Sequence, residues 1–323
     1  MSDMQYTYAV ARIRAMEVSL FSQAAIEQLL ACKTEKQCLQ FLAEKGWGAS
    51  DTALNAETIL NKEREKTWEL MRELVTDMSV FDVLSYPDLF HNLKAAIKES
   101  ATKDTNANIF YNDCEISGEE MMEIVKTKDF AKLPESMRSV AQEAFDTFLH
   151  THDGQLCDLM VDKATLEAIY RAGKEAKDDI IRNYAESTVA VADIKIAVRS
   201  QKTAKSLEFM GKAMAECDTI SVNRLAHAAL NGEDAIRDYL METPYAKGAV
   251  ALSESTSAFE RWCDNQMMET IRPQLYNSFT VGPLVAYVLA RENEIKTVRI
   301  ILSGKANDLP EDSIRERVRE MYV

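Results

Sequence analysis

Histidines and carboxylates are the side chains of this 323-residue chain best placed to do chemistry. His150 and His152 stand beside Asp153, an HxH arrangement that could touch a metal ion. On a helix that spacing points the two rings in different directions, and Gly154 marks a helix end beside them. A solvated helix terminus is the better reading. His91 and His227 fall within helical patterns and read as structural. The pairs Glu119/Glu120, Asp178/Asp179 and Glu292/Glu294 could each act as general acid and base. With 52 acidic side chains in the chain nothing singles one pair out, so each reads as solvated helix surface. The chain has no GxxxxGK phosphate loop, no GxGxxG, no HExxH and no GxSxG. No catalytic residue, metal site or cofactor is expected.

The cations are more informative. A polar–apolar–Lys signature occurs three times, as Asn92-Leu93-Lys94, Asp193-Ile194-Lys195 and Glu294-Ile295-Lys296. A second cation follows each within about one helical turn: Lys98, Arg199 and Arg299. Such side chains can pair with acids on their own helix or lay their stems along it. Alternatively, the six would form a ring of positive charge about a pseudo-threefold axis, in a chain whose formal charge is −14.

The elements that must position these residues are helices. Gly and Pro number only 10 and 6, well under the roughly 12% of average usage, so turns are few. Trp68, Met71, Val75 and Met78 are spaced at helical intervals, as are Leu166, Ile169, Tyr170 and Gly173, and Phe259, Trp262, Cys263, Met267 and Ile271. Asp51-Thr52 and Ser117 look like helix N-caps, and Pro134-Glu135 and Pro310-Glu311 like helix starts. Gly154, Gly248 and Gly304 sit where the patterns break, and Asn106–Asn112 reads as a loop.

Three long-helix hairpins can be laid over one another, turning near Ser85–Pro87, Glu186–Thr188 and Gly282-Pro283. The reading is an all-α chain of three similar repeats: residues 49–150, residues 151–248, and residues 249–323 completed by residues 1–48. The acidic balance argues against nucleic acid and against anionic lipid. The most apolar run, Val281–Ala290, is about ten residues, against the roughly 20 that span a bilayer. The six cysteines form no CxxC pair and, with no secretory signal in view, read as reduced and cytosolic.

The stretch from Gly282-Pro283-Leu284-Val285-Ala286-Tyr287 through Arg291-Glu292-Asn293-Glu294-Ile295-Lys296 to Arg315-Glu316-Arg317 resembles one family strongly. It is similar to the C subunit of bacterial and archaeal V/A-type rotary ATPases, related to the eukaryotic V-type d subunit. Tyr8-Ala9-Val10-Ala11-Arg12-Ile13-Arg14 resembles the family's opening helix, and Phe90-His91-Asn92-Leu93-Lys94 its aromatic–His–Asn–Leu–Lys element.

The resemblance implies a funnel-like body of three similar domains with pseudo-threefold symmetry, forming a single unit. It implies a non-catalytic central-stalk component, coupling the shaft of the soluble ATPase head to the membrane rotor ring for proton or sodium transport. The partners implied are the central-shaft subunits and the rotor ring, with no nucleic acid and no nucleotide bound directly. The isolated chain would be a monomer, and the working place the cytoplasmic face of the membrane, peripheral to it. Lys94, Lys98, Lys195, Arg199, Lys296 and Arg299 are the candidate shaft contacts. The competing reading is a helical-repeat scaffold, although a period near 100 residues is far from the roughly 34 to 47 of common helical repeats.

If residues 1–48 complete the last repeat, they should pack on residues 282–323 from the other end of the chain. Deleting residues 1–48 should then expose apolar surface and lower the thermal midpoint; an unchanged midpoint would make the segment an appendage.

Overall fold

A computed structural model describes residues 6–48, 55–100, 109–111 and 114–323. Among these the chain is all-α, with 77% of residues helical and no strand. The helices are α1 (Thr7–Glu17), α2 (Gln23–Ala31), α3 (Glu35–Glu44), α4 (Ala56–Leu74) and α5 (Asp82–Glu99). Next come α6 (Gly118–Thr127), α7 (Glu135–Thr151), α8 (Gly154–Glu175), α9 (Asp179–Lys202) and α10 (Leu207–Ala213). The remainder are α11 (Val222–Asn231), α12 (Glu233–Met241), α13 (Ala246–Glu254), α14 (Thr256–Ile271), α15 (Gly282–Ala306) and α16 (Glu311–Arg315).

Local chemistry sets the starts. The Ser117 hydroxyl accepts from the Glu120 N–H at 3.2 Å and opens α6, with Glu119 and Glu120 in the first turn facing the positive helix end. Pro134 and Pro310 stand immediately before α7 and α16. Asp51-Thr52 lies outside the described residues, as does most of Asn106–Asn112; the cap of α4 is Asn55, which accepts from the Thr58 N–H at 3.2 Å.

Of the three expected turns, the one near Gly282-Pro283 falls where the residue types place it, with α15 opening at Gly282; the other two fall elsewhere. The connection after α4 is at residues 75–81, and Pro87 lies inside α5, where Val83, Leu89, Phe90 and Leu93 bury one face. The break before α9 is at residues 176–178, and Glu186–Thr188 continue the helix. Gly248 and Gly304 are helical too, each under a packed side chain: Trp262 over Gly248 and Ile314 over Gly304. Tertiary packing holds these residues helical against their local preference.

The chain divides into two compact units. The first comprises Met1–Met78, Asp178–Ile180 and Lys247–Val323. Its centre is α15, buried on every side of its first half, so it shows no amphipathic stripe. Helices α1, α2, α3 and α4 pack around α15. Ile26, Leu29, Leu30, Leu39 and Leu42 from the start of the chain share one apolar cluster with Val298, Ile301, Leu302 and Val318 from its end. The packing of the N-terminal segment on 282–323 expected from the sequence is therefore present for its described residues, 6–48. Lys305 donates to the Leu30 carbonyl at 2.7 Å, and Arg315 pairs with Glu27 across the same seam.

The second unit comprises Ser79–Lys177 and Ile181–Ala246. Here α8 lies against α5 and α7, burying Phe90, Leu93, Ile97, Met137, Phe145, Cys157 and Val161.

The polar residue of the repeated signature does the same task in each copy. Asn92, Asp193 and Glu294 are all 0% exposed. Asn92 brackets the Tyr111 backbone, accepting its N–H at 2.8 Å and donating to its carbonyl at 2.9 Å. Asp193 accepts the Ala215 N–H at 3.1 Å, and Glu294 accepts the Phe21 N–H. Each long returning helix thus uses one buried side chain to satisfy a main-chain donor of an irregular segment, a group that would be costly to bury unpaired.

Gly173 on α8 marks a close approach: a Cβ there would lie 2.3 Å from the Ala185 Cβ of α9. That neighbour is fixed to its backbone and cannot rotate away. Gly173→Ala should therefore cost roughly 1–3 kcal/mol as an overpacking change, read as a lower urea midpoint with unchanged helical circular dichroism.

Candidate functional site

The first unit holds a buried ionic network that begins on α4. Its core stripe runs Ile59, Glu63, Thr67 and Met71, so a carboxylate and a hydroxyl occupy positions that face inward. On the facing helix, Arg291 and Glu294 sit one turn apart and also face inward. The Arg291 guanidinium donates to Glu63 at 2.5 Å and to Glu294, and reaches the Thr67 hydroxyl at 3.4 Å. It also lies over the Trp47 ring at 5.2 Å, and that ring stacks on Phe21 at 5.1 Å between centroids.

Glu63 is shared more widely. It accepts the Gly48 N–H at 2.9 Å and the Lys66 ammonium at 2.6 Å, while Lys66 also donates to the Gly48 carbonyl at 2.7 Å. Gly46 and Gly48 have φ of +82° and +83°, the left-handed conformation glycine tolerates, and this folds Trp47 back onto Arg291.

The network's charges balance, with Arg291 and Lys66 against Glu63 and Glu294. Arg291 and Glu294 are nearly inaccessible, with side chains 8% and 1% exposed. Burial pushes the Glu294 carboxyl above its ordinary range, opposed by the Arg291 charge and the Phe21 N–H. Arginine suits the position because its charge persists and its fork serves several acceptors in one plane.

This arrangement ties four segments together: the turn after α1 through Phe21, the α3–α4 connection through Trp47 and Gly48, α4, and α15. Glu294 is thus a buried structural carboxylate, not the solvated surface its neighbouring acids suggested. Its partner in the sequence pair, Glu292, is half-exposed and accepts from Arg64 at 3.0 Å. Sequence reasoning missed Glu63 altogether. The available signal was an acid falling on the apolar stripe of α4, four residues after Ile59 and four before Thr67.

The six helix cations lie in both units. Lys94 pairs with Asp162 at 2.7 Å and Lys98 with Asp158 at 2.9 Å, both from α5 to α8. In the other unit Lys296 pairs with Asp264 of α14 at 2.7 Å, and Arg299 with Glu57 of α4 at 3.3 Å. Lys94, Lys98, Lys296 and Arg299 thus meet acids on a neighbouring helix rather than on their own. Lys195 is half-buried and Arg199 exposed on α9.

The histidines lie apart. His150 closes α7 with its ring on the Asp146 carbonyl, His152 follows at φ +53°, His91 contacts the Ile109 carbonyl and His227 that of Asn223. Among the described residues no group of three or more His, Cys, Asp or Glu side chains could hold a metal ion, and all six cysteines are free. No helix among them is long and apolar enough to cross a membrane.

An all-helical chain whose long C-terminal helix is the hub for both chain ends has a match in known proteins. Residues 9–317 match the family described as ATP synthase (C/AC39) subunit, and the chain belongs to this family of V/A-type ATPase C subunits. The C subunit of the V-type sodium ATPase of Enterococcus hirae is 21% identical, over 99% of both chains. The C subunit of the A-type ATP synthase of Methanocaldococcus jannaschii is 24% identical, over 96% of this chain and 85% of its own. Its counterpart in Haloquadratum walsbyi is 24% identical over 50% of this chain and 44% of its own. The chain is accordingly one non-catalytic part of a larger ATPase.

Arg291→Met should destabilise the first unit by about 3–5 kcal/mol, because Glu63 and Glu294 would keep buried charges with one partner fewer. Adding Glu63→Gln and Glu294→Gln to that variant should recover a large part of the loss, measured by urea denaturation. If the triple variant is no more stable than Arg291→Met alone, the cost lies in lost packing on Trp47 instead.

Proposed function

We propose that the chain is a central-stalk component that couples the rotating shaft of the ATPase head to the membrane rotor ring, in proton or sodium transport. The observation that carries this reading is the match along nearly the whole chain to C subunits, including one of a sodium ATPase and one of an ATP synthase. In this reading the partners are the shaft subunits and the ring, the isolated chain is a monomer, and it works at the cytoplasmic face, peripheral to the membrane.

The fold suits a torque-bearing part. Residues 21–47 and 295–321 are locked into one apolar core. Close-packed helices transmit strain because they compress little.

The proposal includes three quasi-equivalent repeats arranged as a funnel: 49–150, 151–248, and 249–323 completed by 1–48. It is supported by the shared role of Asn92, Asp193 and Glu294 on their helices. It is supported again by the Lys98–Asp158 and Arg299–Glu57 pairs, each joining a returning helix to the long helix of another repeat.

It also keeps Lys94, Lys98, Lys195, Arg199, Lys296 and Arg299 as the shaft-facing cations. Lys94, Lys98, Lys296 and Arg299 already hold internal acids, so an acidic shaft would compete for them, and their contribution would be to docking rate more than to tightness. Screening within about 8 Å at physiological salt would make docking ionic-strength dependent.

Reversing Lys94, Lys195 and Lys296 to Glu together should weaken binding to the shaft subunits at physiological salt while the helical spectrum holds, with the thermal midpoint lowered only modestly by loss of the Lys94–Asp162 and Lys296–Asp264 pairs. In the assembled enzyme, ATP hydrolysis should continue with ion transport lost. A reversed variant that assembles and transports normally would remove these cations from the joint.

A further inference from the structure

The second unit contains a carboxyl group for which the stalk role has no use. Helix α9 carries Glu186 and Asp193 two turns apart, and both hold the segment that follows α10. Glu186 accepts the Thr219 N–H at 2.7 Å, the Thr219 hydroxyl at 2.6 Å and the Asp218 N–H at 3.2 Å. Among the described residues Asp193 accepts only the Ala215 N–H, through Oδ1 at 3.1 Å, and its buried Oδ2 has no hydrogen-bond partner there.

An ionised carboxylate so placed would be a buried charge with half its acceptor capacity unused, an expensive arrangement. The nearest charged side chains deepen the cost: Glu186 of α9 and Glu216 of the held segment are acids, and Lys163 of α8 is the opposing cation. Two neighbouring groups of this cluster are likewise shifted toward the protonated form. Burial pushes the Cys217 thiol and the Tyr245 phenol, which shares a 3.1 Å hydrogen bond with Thr219, up to about 12 each. The equivalent position in the first copy of the signature is an amide, Asn92, which makes the same main-chain contact with no charge.

We propose that Asp193 is a proton-binding site: as a neutral acid it latches Ala215 to α9, and loss of its proton to solvent admits water and frees Met214–Cys217, the part of the segment that Glu186 does not hold. The segment then remains tethered through Glu186 at Asp218 and Thr219, so the opening is local.

The pH range follows from the direction of the shift. Burial pushes Asp193 up to about 8, so the folded chain holds this proton where the unfolded chain, with its ordinary carboxyl near 3.9, has lost it. From the unfolded value upward the folded state therefore binds more protons. Stability falls with rising pH up to the folded value and is level beyond it.

The test is amide hydrogen exchange on the full chain between pH 6 and 9, corrected for intrinsic exchange, with urea midpoints at the same pH values. In the wild type, protection of the peptide covering Met214–Cys217 should drop by about tenfold or more above pH 8, while α5 and α8 keep theirs. In Asp193→Asn the protection should stay constant, and the urea midpoint at pH 9 should exceed that of the wild type. Equal pH dependence in both proteins, or flat wild-type protection, overturns the proposal. Should the variant fail to fold, a carboxyl carbon titration of the wild type by NMR decides: a midpoint above about 7 supports the latch, and any lower midpoint overturns it.

Discussion

A carboxylate removed from water must be neutralised and given hydrogen bonds, and at Glu294 that requirement organises the first unit. Glu294 is fully enclosed and receives the Phe21 N–H and the Arg291 guanidinium. Arg291 then has donors to spare, which Glu63 accepts; Glu63 has acceptor sites to spare, which Gly48 and Lys66 fill. Each group is satisfied only when the next is in place. The turn after α1 and the α3–α4 connection are therefore positioned by α15 and α4 rather than by their own sequences. A buried polar network of this kind specifies one arrangement where apolar packing alone would tolerate several.

The apolar contacts supply bulk and the network supplies register. Leu29, Leu30 and Leu42 share one apolar cluster with Val298 and Ile301, and apolar burial is not directional. The hydrogen bond from Phe21 to Glu294 adds a directional constraint. For a non-catalytic subunit this is the relevant property: the first unit has to be uniquely assembled, and it has no chemistry to perform. The same logic explains why the long helices carry their most demanding polar residues inside, and why the six repeated cations stand towards the outside, with Lys94, Lys98, Lys296 and Arg299 bridging to neighbouring helices.

The three buried positions also differ from one another in an instructive way. Asn92 is neutral and satisfied on both sides, Glu294 is charged and paired, and Asp193 is ionisable with one oxygen bare. One architectural task is met by three electrostatic solutions, and the least satisfied of them is the one whose protonation state matters.

Helical class, the absence of phosphate-binding motifs, several helix starts and the contact between the two chain ends were all legible in the sequence. Composition, 3.6-residue periodicity and capping act locally, and Ser117 caps α6 for reasons contained in four consecutive residues. The resemblance of the Gly282–Arg317 stretch carried the family. The breaks at Gly154 and Gly282 were legible too, but two other interruptions were not: Pro87, Ser187 and Thr188 favour turns by type, yet tertiary packing keeps them inside α5 and α9. Nor was the network. Glu294 is one acid among many until α4 brings Glu63 opposite and Gly46 and Gly48 fold Trp47 over Arg291. Burial and charge pairing are properties of residues distant in the chain, so the fate of each carboxylate was decided only when the helices packed.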